Sequence, residues 1–298
     1  MARRFLTLAL CITLTGTART ADPAVKLPPG VVLEENPKDS TANKVVIIAG
    51  SNYYKPGEHE YIAAAGVLMK LLAQTPGVAP VLALDWPKNP ETLKNAKTVV
   101  FFFDGAEKHA ALVSDHAKEV QALVDAKVGL TQMHQANDYP KDFGDRARSW
   151  SGAAWEKGMS QRAHWVTEFK EFPQHEITSG VTPFKIDDGY LWKLHFVDGM
   201  KGVTPLLRTE NPKAKEKPKD ANESNISWAF ERPTGGRTFA FTGGHLHASL
   251  AEPGYRKFLV NGILWSAGLP IPKDGAKVDF DAKDLDSYLA PKPAPKAK

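Results

Sequence analysis

Cysteine is almost absent from this chain. Cys11 is the only one in 298 residues, and it lies inside an apolar stretch near the N-terminus. If that stretch is removed on export, the remaining chain can form no disulfide and has no thiolate for catalysis or metal ligation. We therefore expect a fold stabilised by a packed core, which about 280 residues can supply.

Strong net charge, long apolar runs and nucleotide-binding motifs are missing as well. Lys and Arg number 38 against 34 Asp and Glu, a balance that does not favour a nucleic-acid partner. No apolar run beyond the N-terminus approaches the length of a membrane-spanning helix, so we expect none. The patterns GxGxxG, GxxxxGK[ST] and GxSxG do not occur, which argues against nucleotide cofactors and a serine-hydrolase elbow.

The N-terminus has the pattern of a secretory signal peptide, assigned to residues 1–21. Arg3 and Arg4 precede the apolar run "FLTLALCITL", which is too short to cross a bilayer. Small residues follow, and cleavage after Ala18 fits the small-x-small rule. We expect a secreted or periplasmic protein, and a retained N-terminal anchor is the alternative.

The body of the chain alternates strand-like and helix-like segments. Continuous β-branched or aromatic runs are typical of strands buried on both faces of a parallel sheet, and amphipathic runs separate them. The predicted strands are 44–50, 79–85, 97–105 and 128–134, and the predicted helices are 60–74 and 113–127. This order predicts an α/β domain with a mainly parallel sheet.

The middle of the chain is less regular. Segments 162–169, 182–188 and 190–196 resemble strands of a mixed extension of the sheet, and 208–224 reads as a long polar loop. A last strand, "RTFAFTGGH", leads into a helix over 254–268, and "AKDLDSYL" near the C-terminus predicts one more short helix.

Histidines follow several predicted strands at the edge where open α/β sheets bind ligands. His59 lies in the loop after the first strand, His134 ends the fourth, and His245 and His247 follow the glycine pair 243–244. Glycines there predict a turn that presents His245 over the sheet edge. His59, His134 and His245 could bind zinc, with His247 behind them as a supporting residue.

Each of these residues also has a structural interpretation. Glu58 and Glu60 flank His59 before a helix, where acidic side chains complement the helix dipole without any catalytic role. Alternatively, a carboxylate there orients a histidine or acts as a general base. His134 could instead be a buried histidine of the core, although a site residue is the preferred interpretation.

Seven tryptophans are many for a chain of this size. Trp165 and Trp192 lie in the irregular middle, and aromatic faces suit either sugar rings or a core. Because neighbouring strand residues face opposite ways, His164 and Trp165 should lie on opposite faces.

Several segments together resemble the ThuA-like (trehalose utilisation) family. The match runs from Lys44 to Pro272, between a leader over 22–43 and an extension with a basic tail over 273–298. The segments that carry it are "KVVIIAGSNYYKPGEHEY", "GLTQMHQA", "RAHWVTEFK", "HEITSGVTPFKIDDGYLWKLHF", "MKGVTPLL" and "SWAFERPTGGRTFAFTGGHLHASLAEPGYRKFLVNGILWSAGLPIP".

The resemblance implies a flavodoxin-like three-layer sandwich similar to the class I glutamine amidotransferases. Those enzymes carry a cysteine nucleophile after a central strand, where this chain has His134, so their chemistry is excluded here. The family is associated with catabolism of trehalose and related disaccharides through 3-keto-glycosides, alongside sugar dehydrogenases. Where an Asp-Glu-Trp-Tyr run is common in the family, this chain has Asp188 and Gly189, which should alter the pocket.

The resemblance also marks positions for a site. The predicted catalytic residues are Glu60, His134 and His245. The predicted substrate-binding residues are Glu58, Tyr61, His164, Trp165, Asp188, Tyr190 and Trp192.

These observations predict an exported enzyme acting on a small carbohydrate, with zinc as a candidate cofactor. On a 3-keto-glycoside, His134 or Glu60 would remove the C2 proton while His245 polarises the ketone, alone or through a metal. The alternatives are a non-catalytic carbohydrate-binding protein and a partner of a secreted sugar dehydrogenase.

Overall fold

A computed structural model describes residues 27–51, 54–215 and 217–289. The predicted signal peptide and the basic tail therefore lie outside the described residues. Within them, no helix is both long and apolar enough to cross a membrane.

The described residues form a three-layer α/β sandwich around a seven-stranded sheet, which confirms the predicted fold class. The strands are β1 (Asn43–Ala49), β2 (Val78–Leu84), β3 (Thr98–Phe102), β4 (Gly129–Met133), β5 (Ala153–Ala154), β6 (Gln161–Phe169), β7 (Phe184–Trp192), β8 (His195–Phe196), β9 (Val203–Arg208), β10 (Asn225–Glu231) and β11 (Arg237–Phe241). The α-helices are α1 (Tyr61–Leu72), α2 (His116–Asp125), α3 (Gly144–Ser151) and α4 (Pro253–Ser266).

The large sheet is mainly parallel, in the order β2-β1-β3-β4-β11-β10-β9. The five strands from β2 to β11 pair in parallel, and β10 and β9 extend that edge in antiparallel pairing. Strands β1, β4 and β11 therefore end at the same edge, which places the loops after them side by side.

Helices cover both faces of the sheet, as the apolar strand sequences require. Along β1, Val45 and Ile47 pack in the core that contains α1 and α4, whereas Val46 and Ile48 pack in the core beneath α2. Because side chains alternate across a strand, burial on both faces needs a continuous apolar run, which "VVII" supplies.

Strands β6 and β7 depart from the predicted arrangement. They form a separate two-stranded antiparallel hairpin instead of extending the large sheet, and β7 continues through the predicted break between 188 and 190. The mixed extension of the sheet consists of β9 and β10 instead. The hairpin brings Gly189 and Tyr190 of β7 to the same cavity as the histidines that follow β1, β4 and β11.

Smaller differences concern the ends of elements. The last strand stops at Phe241, before the glycine pair, so the chain turns there as predicted. The helix expected near the C-terminus is a 3-10 helix, Ala282–Tyr288, which packs beside α1. In the polar segment 208–224, Arg208 ends β9, the described residues 209–215 and 217–220 lie outside helices and strands, and a short 3-10 helix, Ala221–Ser224, follows.

Candidate metal centre at the carboxyl edge of the sheet

Three histidines converge where β1, β4 and β11 end. His134 Nε2 lies 3.4 Å from His59 Nε2 and 3.3 Å from His245 Nδ1. One ligand nitrogen from each of the three lies within 4.8 Å of the others, and all three residues are buried. The structure thus brings together the three residues that were predicted as metal ligands.

His134 is held at the turn between β4 and the 3-10 helix His134–Asn137. Its φ of 52° is in the left-handed region, which is uncommon outside glycine and is often found at functional sites. The Asn137 amide fixes this turn by donating to the carbonyls of His134 (3.0 Å) and Phe241 (3.3 Å). His134 Nδ1 lies 3.0 Å from the Thr242 carbonyl, which can only accept, so Nδ1 carries the proton.

His59 is held by a second chain of hydrogen bonds, and its φ of 50° is also left-handed. The Tyr61 hydroxyl donates to Asp104 Oδ1 at 2.9 Å and lies 2.6 Å from His59 Nδ1. Because the single hydroxyl proton goes to Asp104, the Nδ1–H of His59 faces two acceptors, the Tyr61 oxygen and, at 3.4 Å, Asp104 Oδ1. Tyr54 also donates to Asp104, at 2.6 Å, and its ring stacks on His59.

Asp104 is the anion at the end of this series of hydrogen bonds. Burial favours its neutral form, but hydrogen bonds from His59, Tyr54 and Tyr61 outweigh burial and hold its pKa below the ordinary value. An ionised carboxylate behind a histidine fixes the imidazole tautomer and makes the opposite nitrogen a better metal ligand.

His245 is placed by the backbone that Asp188 holds. The fully buried Asp188 carboxylate accepts from the backbone N–H groups of Gly189, Gly244 and His245, each at 2.8 Å, and of Leu246 at 3.1 Å. Burial raises the pKa of Asp188 to about 6, and these four N–H groups oppose that rise, so the carboxylate is ionised at neutral pH. Asp188 thus ties hairpin strand β7 to the turn that presents His245.

The loops carrying His59 and His245 are also joined directly. The His59 N–H donates to the His245 carbonyl at 2.9 Å, and the His247 N–H donates to the Gly57 carbonyl at 3.0 Å. These bonds form a short antiparallel bridge between Glu58 and Leu246. The two loops therefore form one backbone unit above the sheet edge.

The tautomers leave unprotonated nitrogens facing one another. With the proton on Nδ1 in both His59 and His134, their Nε2 lone pairs meet at 3.4 Å. Burial and the neighbouring imidazoles lower the pKa of His134 well below its ordinary value, and similar causes lower the pKa of His245 to about 3. Facing lone pairs repel unless a proton or a metal cation lies between them.

Two of the three nitrogen separations match those around a tetrahedral metal ion. Two ligands about 2.05 Å from a zinc ion at a tetrahedral angle lie about 3.3 Å apart. The two nitrogen separations given above agree with that value. Three histidines with a position open to substrate are typical of catalytic zinc sites, so these residues fit such an ion.

A cavity of about 110 Å³ adjoins the three histidines. Its other walls include His164 and Arg162 of β6 and Gly189 and Tyr190 of β7. His164 pairs with Gly189 across the hairpin, and its ring lies edge-on to His245 with centroids 4.2 Å apart. A Cβ at position 189 would lie 3.0 Å from His164 Nε2 and from His245 Cβ, so glycine there leaves room for both imidazoles.

The predicted glutamates lie in different places. Glu58 Oε2 is 4.0 Å from His245 Nε2, where it can orient that imidazole. Glu60 accepts a hydrogen bond from the Gly57 N–H at 2.8 Å and lines a separate small cavity, beside His247 and Leu246. The His247 Nε2 atom lies 3.2 Å from the Leu285 carbonyl, so this imidazole supports the C-terminal segment.

The predicted aromatic residues are mostly core. Trp165 and Trp192 are buried in the main core, and Trp165 donates from its indole to Thr209. His164 is exposed on the opposite face of β6, as strand alternation predicts. Tyr190 is buried but lines the histidine cavity, and Tyr61 contributes its hydroxyl behind His59.

Three residues of this centre were not predicted from the sequence, namely Tyr54, Asp104 and Asn137. Asp104 follows predicted strand 97–105 at the ligand-binding edge, which was a usable signal for a carboxylate behind a histidine. Tyr54 and Asn137 act through hydrogen bonds that only the folded loops create.

The sequence matches the ThuA family, described as trehalose utilisation, over residues 44–266. Because this match covers most of the chain, the protein belongs to that family. No curated protein matches.

Two solved structures of putative ThuA-like proteins resemble the chain. The one from Parabacteroides merdae has a TM-score of 0.56 at 14% identity and covers 80% of this chain and 95% of its own. The one from Bacteroides uniformis has a TM-score of 0.56 at 14% identity, with 78% and 94% covered. At this identity the likeness supports the fold alone.

Replacing Asp188 by Asn tests whether this carboxylate holds the His245 turn. Asn has one acceptor oxygen, and its NH₂ group would face backbone donors, so we expect unfolding free energy to fall by about 2–4 kcal/mol. Urea denaturation measures this loss. The control is Asp187→Asn, an exposed carboxylate on the same strand, which should change stability by less than about 0.5 kcal/mol. Equal effects from both variants would contradict this role.

Replacing Gly189 by Ala tests the space between His164 and His245. The added methyl group must displace an imidazole by a few tenths of an ångström, since its contacts would be only 3.0 Å. We expect zinc affinity to fall about tenfold or more, as for other changes next to metal ligands, without loss of the fold. Competition with a chromophoric chelator measures the affinity, and a value equal to wild type would refute the steric argument.

Proposed function

We propose that this ThuA-family protein is an exported, metal-dependent enzyme that acts on 3-keto-glycosides. The observation that carries the proposal is the convergence of His59, His134 and His245 beside a cavity, with one nitrogen of each within 4.8 Å of the others and two of the pairs at 3.3–3.4 Å. The family's description as trehalose utilisation supports a carbohydrate substrate.

The second layer around the histidines supports a resident metal ion. Asp104 acts on His59 both directly and through Tyr61, and the Thr242 carbonyl fixes His134, so both rings offer Nε2 as a ligand. A divalent ion bound there would supply a Lewis acid for the oxygen of a substrate carbonyl. Neutral imidazoles are the form that binds metal, and the lowered pKa values of His134 and His245 favour that form.

The reaction we propose is an elimination. The C3 ketone acidifies the C2 hydrogen, a base removes that proton, and the electron pair forms a double bond between C2 and C1. The C1–O bond breaks, and the departing oxygen takes up a proton. The products are an unsaturated keto-sugar and the free alcohol, and no oxidant or reductant is consumed.

We infer that His164 is the base. It lines the cavity, lies against His245 and is outside the group of three ligands. Glu60, the earlier candidate, binds the Gly57 N–H and lines a different cavity. We assign His134 as a metal ligand instead. Its Nδ1–H donates to the Thr242 carbonyl, which leaves Nε2 facing the other histidines. A neutral imidazole that is not bound to a metal offers a ring nitrogen lone pair that can accept a proton.

Export is supported by the pattern of residues 1–21 and by the cysteine-free remainder of the chain. A sugar-binding protein without catalysis is less well supported, because Trp165 and Trp192, the candidate stacking platforms, are buried in the core. The N-terminal sequence of the mature protein from culture medium or periplasm checks export.

Metal analysis tests the centre itself. We expect the purified protein to bind one divalent ion per chain, and His134→Ala to lose it, because one of three ligands is removed. The control is His116→Ala, which removes a histidine outside the cluster and should keep the metal. Wild-type protein that binds no divalent ion after reconstitution would overturn the metal assignment.

Replacing His164 by Ala tests the base. With 3-keto-trehalose as substrate, we expect kcat to fall about 10²–10⁴-fold while metal content stays at the wild-type level. Product formation is followed by mass spectrometry, and Val166→Ala, an exposed position on the same strand, is the control. An active wild type with an equally active His164→Ala variant would reject this role. Binding without product in the wild type would favour the non-catalytic alternative.

A further inference from the structure

A groove lies at the opposite edge of the large sheet from the histidines. Its volume is about 390 Å³, within the range of about 300–1,000 Å³ that is usual for small-ligand sites. Lys97 and Lys127 line it just before β3 and β4, and Arg232 and Arg237 line it at the two ends of the turn between β10 and β11. Because β3, β4 and β11 are parallel neighbours, the residues before them meet at one edge. The topology therefore gathers four basic residues around one groove.

The charge of this groove is mainly positive. Four basic residues and one acidic residue, Glu231, give its lining a formal charge of +3. Lys97 and Lys127 form no ion pair with any residue that the structure describes. The carboxyl ends of α2 and α4 also lie at this edge, and each carries about half a negative charge, so together they offset about one of the three surplus charges. The remaining charge favours an anionic ligand.

Arg232 is a buried cation without a counter-ion. It is 4% exposed, and no carboxylate of the described residues forms an ion pair with it. Its guanidinium donates to the carbonyls of Gly235, Arg237 and Val128 and to the Thr238 hydroxyl. These bonds use four of its five N–H groups, and the fifth, on Nη2, has no acceptor in the described part of the chain. Burial lowers the pKa of Arg232 to about 10, so the group is charged at neutral pH, and an anion would offset the cost of burying that charge.

The glycine pair of this turn leaves space beside the guanidinium. Gly235 and Gly236 have φ values of 94° and 80°, in the region that favours glycine. A Cβ at position 236 would overlap Arg232 Nη2 and lie 2.7 Å from the Lys127 carbonyl oxygen. The Gly236 N–H has no acceptor among the described residues either. The unused N–H groups of Arg232 and Gly236 are therefore neighbours, as in the glycine-containing turns that bind anions.

We propose that this groove is a phosphate-binding site. A buried guanidinium, a backbone N–H and exposed ammonium groups are donors that bind phosphate oxygens well. A phosphate monoester carries close to two negative charges at neutral pH, which matches the surplus positive charge of the groove. The phosphate group belongs either to a free ion or to a small ester, and the volume of the groove favours an ester.

Calorimetric titration of the purified full-length protein tests the site. The ligands are glycerol 3-phosphate, inorganic phosphate and glycerol, and the wild type should bind the first and not the last. Lys97→Gln and Lys127→Gln each remove one charge at an exposed position of the groove, so each should raise the Kd for glycerol 3-phosphate about tenfold. The control is Lys118→Gln, at an exposed lysine of α2 outside the groove, which should keep the Kd within about twofold.

Thermal unfolding supplies a second measurement. Without ligand, the two groove variants should unfold at the wild-type temperature, because both lysines are exposed and their side chains hold no other element in place. Saturating glycerol 3-phosphate should raise the unfolding temperature of the wild type, since a ligand that binds only the folded state stabilises it. At the same ligand concentration the increase should be smaller in both groove variants.

The two sources of the phosphate group give different results. Binding of glycerol 3-phosphate about tenfold tighter than inorganic phosphate supports the site and identifies an ester as its ligand, whereas equal affinities support the site and identify the free ion. Absence of binding with both, or affinities that neither groove variant changes, overturns the proposal. Because the groove shares no lining residue with the histidine cavity, these outcomes are independent of the proposed function.

Discussion

The candidate site depends on one buried carboxylate. Asp188 lies on the hairpin formed by β6 and β7, outside the large sheet, yet it accepts backbone N–H groups of the turn that follows β11. Few interactions can hold a glycine-containing turn in one conformation, because such a turn offers almost no side chains to pack. An ionised acceptor at the centre of several N–H groups does so, since charge-assisted hydrogen bonds are about twice as strong as neutral ones.

Hydrogen bonds from buried groups also hold the irregular backbone at the other two histidines. His59 and His134 both adopt left-handed conformations, which a histidine tolerates only when surrounding groups compensate for the strain. Asn137 compensates at His134 by binding carbonyls at the ends of β4 and β11. At His59 the backbone bond to His245 has that role. The metal-ligand geometry is thus built from loop backbone that the sheet edge and buried polar groups hold rigid.

Whether the place of a residue could be predicted from the sequence depends on how far apart in the chain its interaction partners lie. The parallel sheet and the convergence of His59, His134 and His245 followed from apolar runs and from the rule that the carboxyl ends of parallel strands share an edge. The hairpin was misassigned as part of the sheet, because "TPFKIDDGYLWKLHF" has strand character whichever partner it pairs with. Trp165 and Trp192 were ambiguous for a related reason, since an aromatic side chain suits a core and a sugar platform equally well.

Some features of this protein were determined by the sequence alone: the α/β class, the absence of thiol chemistry outside the N-terminal stretch, and the histidines after successive strands. These features depend on residue type and local periodicity, which the sequence displays directly. The tertiary structure decided that Asp188 supports a turn, that Asp104 acts on His59 both directly and through Tyr61, and that Glu60 lines a cavity apart from His59, His134 and His245. Those roles depend on hydrogen bonds and burial between residues far apart in the chain, whose partners exist only once the loops are folded together.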